Sequence, residues 1–526
     1  MTYDYLIVGA GSAGAVLADR LSADGSARVG LVEAGPDYRS GQAPEAMRGP
    51  NPHRVVTEAA YSPYRWDALQ ARRTKAQSPR RYWAGKGVGG SSSINGQIAI
   101  RGVPEDFDAW AAAGCRGWSF ADVLPAFRRL EHDLKFGARE YHGDGGPIPI
   151  YRAPVHRWGA VDGAFAQAAL ESGHPWAEDH NAPGATGLSP YAINSRDGVR
   201  VSTNEAYLEG ARDRENLTIH GDAHVDKVLF EGDRAIGVRV RIGQIWGELH
   251  SRVVILCAGS LHSPAILLRS GVGPRADLRA LGIETRADLP VGASLQDHPA
   301  MFMPIALRDD CVSLDGERHT NACVRYDSGL GGAGPNDMMM VALNGFGDSL
   351  AIHTKGEGSP QRPGLVGVWV NQCFSRGTLR LVSANPFDAP EIDLNLLDDP
   401  SDLARMRDGF RRLQALGASP SIRDIGTVDA GFLEQRSDDE IDALLMKDAG
   451  DTQHPTSTCR MGADDDPAAV VDSECRVRGL EGLLVVDASV MPSVVRANTH
   501  LTTVMIAERM CERLLGERRP PMKEAA

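Results

Sequence analysis

The chain has 526 residues, of which 42 % are hydrophobic and 24 % charged, and a formal net charge of −13. That balance belongs to a globular protein long enough for two joined domains; without any long basic run it argues against nucleic acid or an anionic membrane surface as partner. No apolar stretch reaches the roughly 18 residues of a membrane span, and the eight scattered cysteines, none in C-x-x-C, fit buried free thiols in a reducing compartment.

Residues 5–8 form a short apolar run of the kind found in a buried parallel strand, and its early start leaves no room for a signal peptide, so a cytoplasmic location is expected. Gly9, Gly11 and Gly14 follow as G-x-G-x-x-G, residues 15–21 continue with helical spacing, and a second apolar run, Val29–Val32, ends in Glu33. Strand, glycine turn, helix, strand and acid in this order mark a dinucleotide-binding unit. Gly9 serves the tight turn, Gly11 the approach of a pyrophosphate and Gly14 the close packing of helix on strand. The helix N-terminus offers free N–H groups to phosphate, and Glu33, 19 residues beyond Gly14, is placed to hold ribose hydroxyls. Gly329-Leu-Gly331-Gly-Ala-Gly334 matches the same pattern, but a very short apolar run precedes it and Pro335-Asn-Asp follows it. A surface loop is expected there.

Beyond Glu33, residues 34–55 are rich in Pro, Gly and Arg and read as a surface excursion. The run 85–99 is dense in Gly and Ser yet encloses Val88, Ile94 and Ile98. It predicts a loop pinned in the interior, with backbone N–H groups facing a phosphate or a flat ring. Helices are expected over 106–113, 119–130, 167–172 and 202–214, the last capped by Ser202 or Thr203. Four strand-like runs between 217 and 249 suggest a β-meander, followed by a separate buried strand at 253–257 and a helix over 264–269. Residues 301–307, 324–326, 338–343, 365–370 and 379–382 are candidate strands of a second sheet. Its Gly/Pro-rich loops at 328–336 and 355–364 are candidates for a lid. Helices follow over 403–416 and 438–447. Asp464 to Asp466 reads as a solvated turn, and no H-E-x-x-H or Cys/His cluster marks a metal. A last buried strand over 482–488 contains Asp487, and a C-terminal helix covers 502–515. The far end of the chain thus completes the dinucleotide fold around an inserted second sheet.

Three stretches carry a family resemblance. Residues 85–108, with Gly89, Gly90, Ser91, Ser92, Asn95 and Gly102, resemble the first signature of the glucose–methanol–choline (GMC) family of FAD-dependent oxidoreductases. Residues 259–273 match its second signature in full. His454-Pro-Thr-Ser-Thr-Cys-Arg-Met-Gly462, Val485-Val-Asp-Ala-Ser-Val-Met-Pro492 and Asn498-Thr-His-Leu-Thr-Thr-Val-Met-Ile-Ala-Glu508 resemble its catalytic segment. Segments 200–208, 295–298 and 375–377 also fall where the family would place them.

The resemblance implies an α/β fold: a Rossmann-like FAD-binding domain joined to an α+β substrate-binding domain built on an antiparallel sheet. The FAD-binding domain would comprise residues 1–155, 196–300 and 451–526, the last part carrying the catalytic histidines; the substrate-binding domain would comprise 156–195 and 301–450. FAD would be held by Gly9, Gly11, Ser12, Ala13, Gly14, Glu33, Ala34, Gly89, Gly90, Ser91, Asn95, Gly96, Ile98, Val225, Ala258, Asp487, Ala488, His500, Leu501 and Thr502. Among these, Gly89, Gly90 and Asn95 would lie near the isoalloxazine, Val225 would meet the adenine through its backbone, and Asp487 and Ala488 would lie beside the ribitol and pyrophosphate. Relatives that attach the flavin use a histidine just before the asparagine of the first signature. Ile94 stands there, so the resemblance implies non-covalent FAD.

Oxidising an alcohol removes a hydroxyl proton and a hydride from carbon; flavin N5 takes the hydride, so the protein must supply a base and hold the C–H bond in place. By the resemblance His454 is that base. The second active-site position falls at His500, expected to hydrogen-bond the substrate oxygen. Gln453 before His454 and Pro455-Thr-Ser457 after it depart from the commoner family pattern. The substrate therefore stays open among primary and secondary alcohols, sugars and aryl alcohols included, with O2 or another acceptor taking the electrons. Hydroxynitrile lyase-type cyanohydrin cleavage on the same fold is the alternative. Cys459 would be an activated thiol if the side chain of Arg460 met it.

Overall fold

The computed structural model describes residues 2–313, 316–345 and 363–518. Its first sheet is ordered Leu217–His220, Val29–Val32, Thr2–Val8, Ile245–Leu256, Arg234–Ile242, Ala223–Glu231, with Leu483–Val485 beside the end of Ile245–Leu256. The central ladder is parallel, Tyr5 opposite Val29 and Val8 opposite both Val32 and Leu256. Helices cover it, so Leu6, Ile7, Val29 and Leu31 are fully buried, and the strands read as unbroken apolar runs. The helix Gly14–Ser22 starts hard against the turn: a Cβ on Gly14 would stand 1.8 Å from the Gly9 carbonyl oxygen. The C-terminal helix His500–Arg518 packs on Gly14–Ser22, where Arg20 pairs with Glu508 at 2.8 Å and Tyr207 donates its hydroxyl to Glu508 at 2.9 Å.

Two expectations change in this sheet. Residues 245–249 and 253–257 belong largely to one strand, Ile245–Leu256, which exchanges partners at His250. Its exposed first half runs antiparallel to Arg234–Ile242, and its buried second half runs parallel to Thr2–Val8. The apolar pattern breaks where the environment changes, not where the strand ends. Leu217–His220 leaves the meander and pairs in parallel with Val29–Val32. The following helix starts at Gly259 rather than 264, with Pro264 inside it. Proline has no N–H for the carbonyl four residues earlier, and the Ser260 carbonyl takes the Thr458 hydroxyl instead, at 2.8 Å.

The second sheet is antiparallel in the order Gly426–Val428, Pro299–Leu307, Gly364–Val370, Met338–Leu343, Ala322–Tyr326, Gly187–Pro190. Alternate residues face opposite ways. Met338 and Val368 meet the helix Pro400–Gly417 at Gly409, while Phe302, Val341, Leu343 and Trp369 line a cavity on the other face. The expected strand at 379–382 lies elsewhere: Thr378–Arg380 joins Glu391–Asp393, Gln70–Arg72 and Arg80–Arg81 in a small separate sheet. The glycine pattern at 329–334 sits in the connection between Ala322–Tyr326 and Met338–Leu343, largely exposed, as expected. Of the candidate lid at 355–364, residues 355–362 lie outside the described residues. No described helix is long and apolar enough to cross a membrane.

Candidate active site

A cavity of about 370 Å³, within the range of small-molecule and cofactor sites, is lined by residues of both sheets. Of the residues expected at a dinucleotide, Gly9, Gly11, Ser12, Ala13, Glu33, Ala34, Gly90, Ser91, Asn95, Gly96, Ile98, Val225, Ala258, Asp487, Ala488 and His500 line it. Gly14, Gly89, Leu501 and Thr502 are not among its lining residues.

Glu33 ties this end together. One carboxylate oxygen accepts the Ala10 N–H at 2.9 Å, and the other accepts Gly35 N–H at 2.9 Å and Gly87 N–H at 2.8 Å. The glycine turn and the 85–99 run are thereby clamped to one side chain, whose spare lone pairs remain for hydroxyl donors. Gly90 packs directly on Gly11, with room for no Cβ (2.8 Å to the Gly11 Cα). Asn95 is oriented by Arg200 Nη1 and the Gln97 N–H, which donate to its Oδ1 at 2.8 and 2.9 Å, leaving Nδ2 as its free end. Asp487 accepts from Gly259 N–H (2.9 Å), Ser263 Oγ (2.6 Å) and Ser489 N–H (2.8 Å), and burial raises its pKa.

The donor set fits a flavin dinucleotide. The helices Gly14–Ser22 and His500–Arg518 both begin beside the cavity, which puts the positive ends of their dipoles there. His500, which lines the cavity, has its Nε2 buried without a partner among the described residues, as expected of a group facing an absent acceptor or donor. Ile94, at 5 % exposure, lines the cavity with an apolar side chain that forms no bond to a ring.

At the sheet end, Gln296 and Thr456 exchange backbone hydrogen bonds (3.2 and 3.0 Å) and Pro299 pairs with Asp451, so 296–299 runs antiparallel beside 451–456. That register sets His298 against His454. His454 Nδ1 lies 2.7 Å from Thr452 Oγ1 and 2.9 Å from His298 Nδ1, and its Nε2 lies 3.1 Å from Asn498 Nδ2. Tyr191 donates its hydroxyl to Asn498 Oδ1 at 3.0 Å, which turns the amide so that its NH₂ faces His454. Burial, with His298 adding to it, pushes the His454 pKa well below its ordinary value of 6.5, and burial with a smaller push from Arg200 lowers His500 to about 4. Both imidazoles are neutral at pH 7.

Asp297, His298 and His454 are, among the described residues, three potential metal ligands within reach of one another. Their lone pairs are already engaged. Asp297 accepts the N–H groups of His298 (2.8 Å) and His454 (2.9 Å) and the Tyr82 hydroxyl (2.6 Å), an arrangement that holds protein rather than cation. Burial and the neighbouring Asp451 push its pKa up.

His454 and His500 both line the cavity, with no hydrogen bond between them among the described residues. His500 opens the C-terminal helix, and its Nδ1 lies 3.1 Å from Ser12 Oγ in the glycine turn. Asn498, two residues before that helix, reaches His454. Spacing alone did not separate the two, because they differ in which side of the helix start they occupy. Nor did it single out Tyr191, Thr452 or His298, whose roles come from pairings across the fold. Cys459 is unactivated: Arg460 pairs with Asp466 and with the Ala468 carbonyl (3.0 Å), and burial pushes the thiol pKa up.

Comparison with known proteins gives the family. The family model described as GMC oxidoreductase matches residues 3–300 in its N-terminal part and 373–507 in its C-terminal part. The chain is 37 % identical to the 5-(hydroxymethyl)furfural oxidase of Methylovorus sp. (strain MP688), over 98 % of this chain and 99 % of that one. It is 35 % identical to the oxygen-dependent choline dehydrogenase of Vibrio vulnificus (strain YJ016), over 99 % and 95 %. Among solved structures, the pyridoxine 4-oxidase of "Mesorbium loti" superposes with a TM-score of 0.88 at 30 % identity, covering 98 % of this chain and all of that one. These relatives are named for oxidation, and none supports cyanohydrin cleavage.

Proposed function

The chain belongs to the GMC oxidoreductase family, FAD-dependent enzymes that oxidise alcohols, and from that membership and the site geometry we propose that it converts a neutral aromatic or heteroaromatic primary alcohol to the carbonyl, with His454 as the base. The observation that carries the reading is the pair at the sheet end of the cavity: a neutral imidazole whose Nε2 faces the amide NH₂ of Asn498.

An alcohol oxygen placed against both groups takes over the hydrogen bond between them, giving its proton to His454 Nε2 and accepting a hydrogen bond from Asn498 Nδ2. A neutral histidine with a depressed pKa is ready to accept at pH 7, and a positioned base contributes about 10² to 10⁴ in rate, or roughly 3–5 kcal/mol. FAD, when bound, supplies the hydride acceptor. Gly9, Gly11, Glu33, Asp487 and the first turn of the His500–Arg518 helix would hold it, and Ile94 makes that attachment non-covalent. Ser12 and His500 would then serve the cofactor side of the cavity, and Asn498 the substrate side.

The choice of substrate rests on the wall opposite the glycine turn. Phe302, Val341, Leu343 and Trp369 present apolar and aromatic surface. Among the described lining residues the carboxylates are Glu33, Asp451 and Asp487; Glu33 and Asp487 are bound to backbone and serine groups, and Asp451 pairs with Arg73 at 2.6 Å. A quaternary ammonium would therefore find no unpaired anion there. Anaerobic bleaching of the flavin by 5-(hydroxymethyl)furfural, benzyl alcohol, pyridoxine, glucose and choline tests this. The aromatic alcohols should reduce it fastest; choline reducing it first would overturn the substrate assignment, and no reduction by any of them would overturn the reading. Acid precipitation should release all the FAD into the supernatant.

A further inference from the structure

His298 is not among the residues lining the cavity, yet it is fully buried and has both ring nitrogens engaged. Its Nε2 lies 3.0 Å from the Val495 carbonyl oxygen. A carbonyl accepts and never donates, so Nε2 carries the hydrogen. Burial keeps the ring neutral, with a pKa of about 4, and a neutral imidazole with hydrogen on Nε2 has a bare lone pair on Nδ1. That lone pair faces His454 Nδ1 at 2.9 Å. Two lone pairs do not share such a distance, so the hydrogen between the rings belongs to His454.

The opposite side of His454 gives the same answer independently. Tyr191 fixes the Asn498 amide with its NH₂ toward Nε2, and a donor there requires a lone pair on that nitrogen. Thr452 can also accept the Nδ1–H, since its own hydroxyl can turn to Asp297 Oδ1 at 3.3 Å.

We infer that His298 is a positioning residue: through the chain Val495 carbonyl, His298, His454 it holds the base in the tautomer with hydrogen on Nδ1, so that Nε2 is always the nitrogen offered to the alcohol. The inference deepens the proposed function and rests on it. In the serine-protease template, replacing the group that sets the tautomer of the catalytic histidine lowers kcat by about 10⁴. Here Thr452 remains as a second acceptor, so a smaller loss is expected.

Two near-isosteric variants separate positioning from packing. Asparagine at 298 places its carbonyl oxygen where Nδ1 stands and keeps the acceptor for His454. Glutamine places its NH₂ where Nε2 stands and keeps the donor to Val495 instead. The FAD-loaded wild type, His298→Asn, His298→Gln and His298→Leu are mixed anaerobically with the alcohol that reduces the wild-type flavin fastest, and the limiting rate and the alcohol dissociation constant are read separately. His298→Asn should stay within about fivefold of the wild-type rate, and His298→Gln and His298→Leu should fall about 10- to 100-fold, all with little change in alcohol binding. A rate preserved by glutamine and lost by asparagine, or preserved in all three, overturns the inference while leaving the proposed function standing. A wild type that no alcohol reduces removes both. If the His298 variants do not retain FAD, Thr452→Val puts the question in the otherwise intact chain. With His298 still accepting, the rate should fall less than about threefold; a fall of about 100-fold would make Thr452 the tautomer-setting group and overturn the inference.

Discussion

Replacing Asn498 probes the substrate side of the site in two different ways. Asn498→Ala removes the NH₂ that lies 3.1 Å from His454 Nε2 and that is placed to bond the alcohol oxygen as negative charge develops on it. A hydrogen bond to a charged group contributes about 1.5–3 kcal/mol, so the limiting rate of flavin reduction should fall about 10- to 150-fold. Asn498→Asp keeps the shape and still accepts the Tyr191 hydroxyl, but puts a carboxylate beside the imidazole. An anion there favours imidazolium and raises the His454 pKa from its depressed value, so the base is protonated over a wider range. In the wild type the limiting rate should be flat from pH 6.5 upward, because burial pushes the His454 pKa well below 6.5. In Asn498→Asp the rate should fall about tenfold per pH unit below a raised apparent pKa. Stopped-flow reduction at saturating alcohol across the pH range measures both. An Asn498→Ala rate within a factor of about two of wild type, or an unshifted acid limb in Asn498→Asp, would refute the placement of the substrate oxygen between the two residues.

Gly14→Ala would drive a Cβ to 1.8 Å from the Gly9 carbonyl, so the helix must move off the turn; the variant should lose about 1–3 kcal/mol or more in urea unfolding and purify without FAD, and a yellow, fully stable protein would contradict this. Far from the cavity, buried His142 bonds Glu131 through Nδ1 (2.6 Å) and Asp179 through Nε2 (2.8 Å). Burial opposes its charge, yet these bonds outweigh burial and raise its pKa above 6.5, while both carboxylates are lowered despite their own burial. The imidazolium contribution is complete below the unfolded pKa of about 6.5 and fades as pH rises through the higher folded value; the carboxylate contributions are complete above about pH 4.5 and fade as pH falls through their lowered values. Unfolding by urea should show a loss of stability from pH 6 to pH 9 that His142→Gln abolishes, and an equal loss in that variant would contradict the assignment.

Much of the dinucleotide fold was legible because its signals are local. The run 5–8, the glycines at 9, 11 and 14 and Glu33 lie within one β-α-β unit, and the same logic set the pattern at 329–334 aside as a loop. The second sheet was legible strand by strand, since Met338–Leu343 and Gly364–Val370 are apolar runs of strand length. What failed involved partners distant in sequence. One strand looked like two because its partner changes at His250. Thr378–Arg380 reads as part of the second sheet but pairs with Glu391–Asp393, which in turn pairs with Gln70–Arg72. At the site, the resemblance marks His454 and His500; the structure adds Asn498, whose amide reaches His454 Nε2 while His500 Nδ1 lies beside Ser12. Tyr191 carries no local signal and His298 only its place in the 295–298 segment, for their contacts with Asn498 and His454 join chain segments more than 150 residues apart.

The proposed oxidation depends most directly on the imidazole of His454. Purified His454→Ala, loaded with FAD to the wild-type level and mixed without oxygen with an alcohol that bleaches the wild type, should reduce its flavin about 10²- to 10⁴-fold more slowly, with the flavin spectrum and FAD content unchanged. Reduction at the wild-type rate would contradict it.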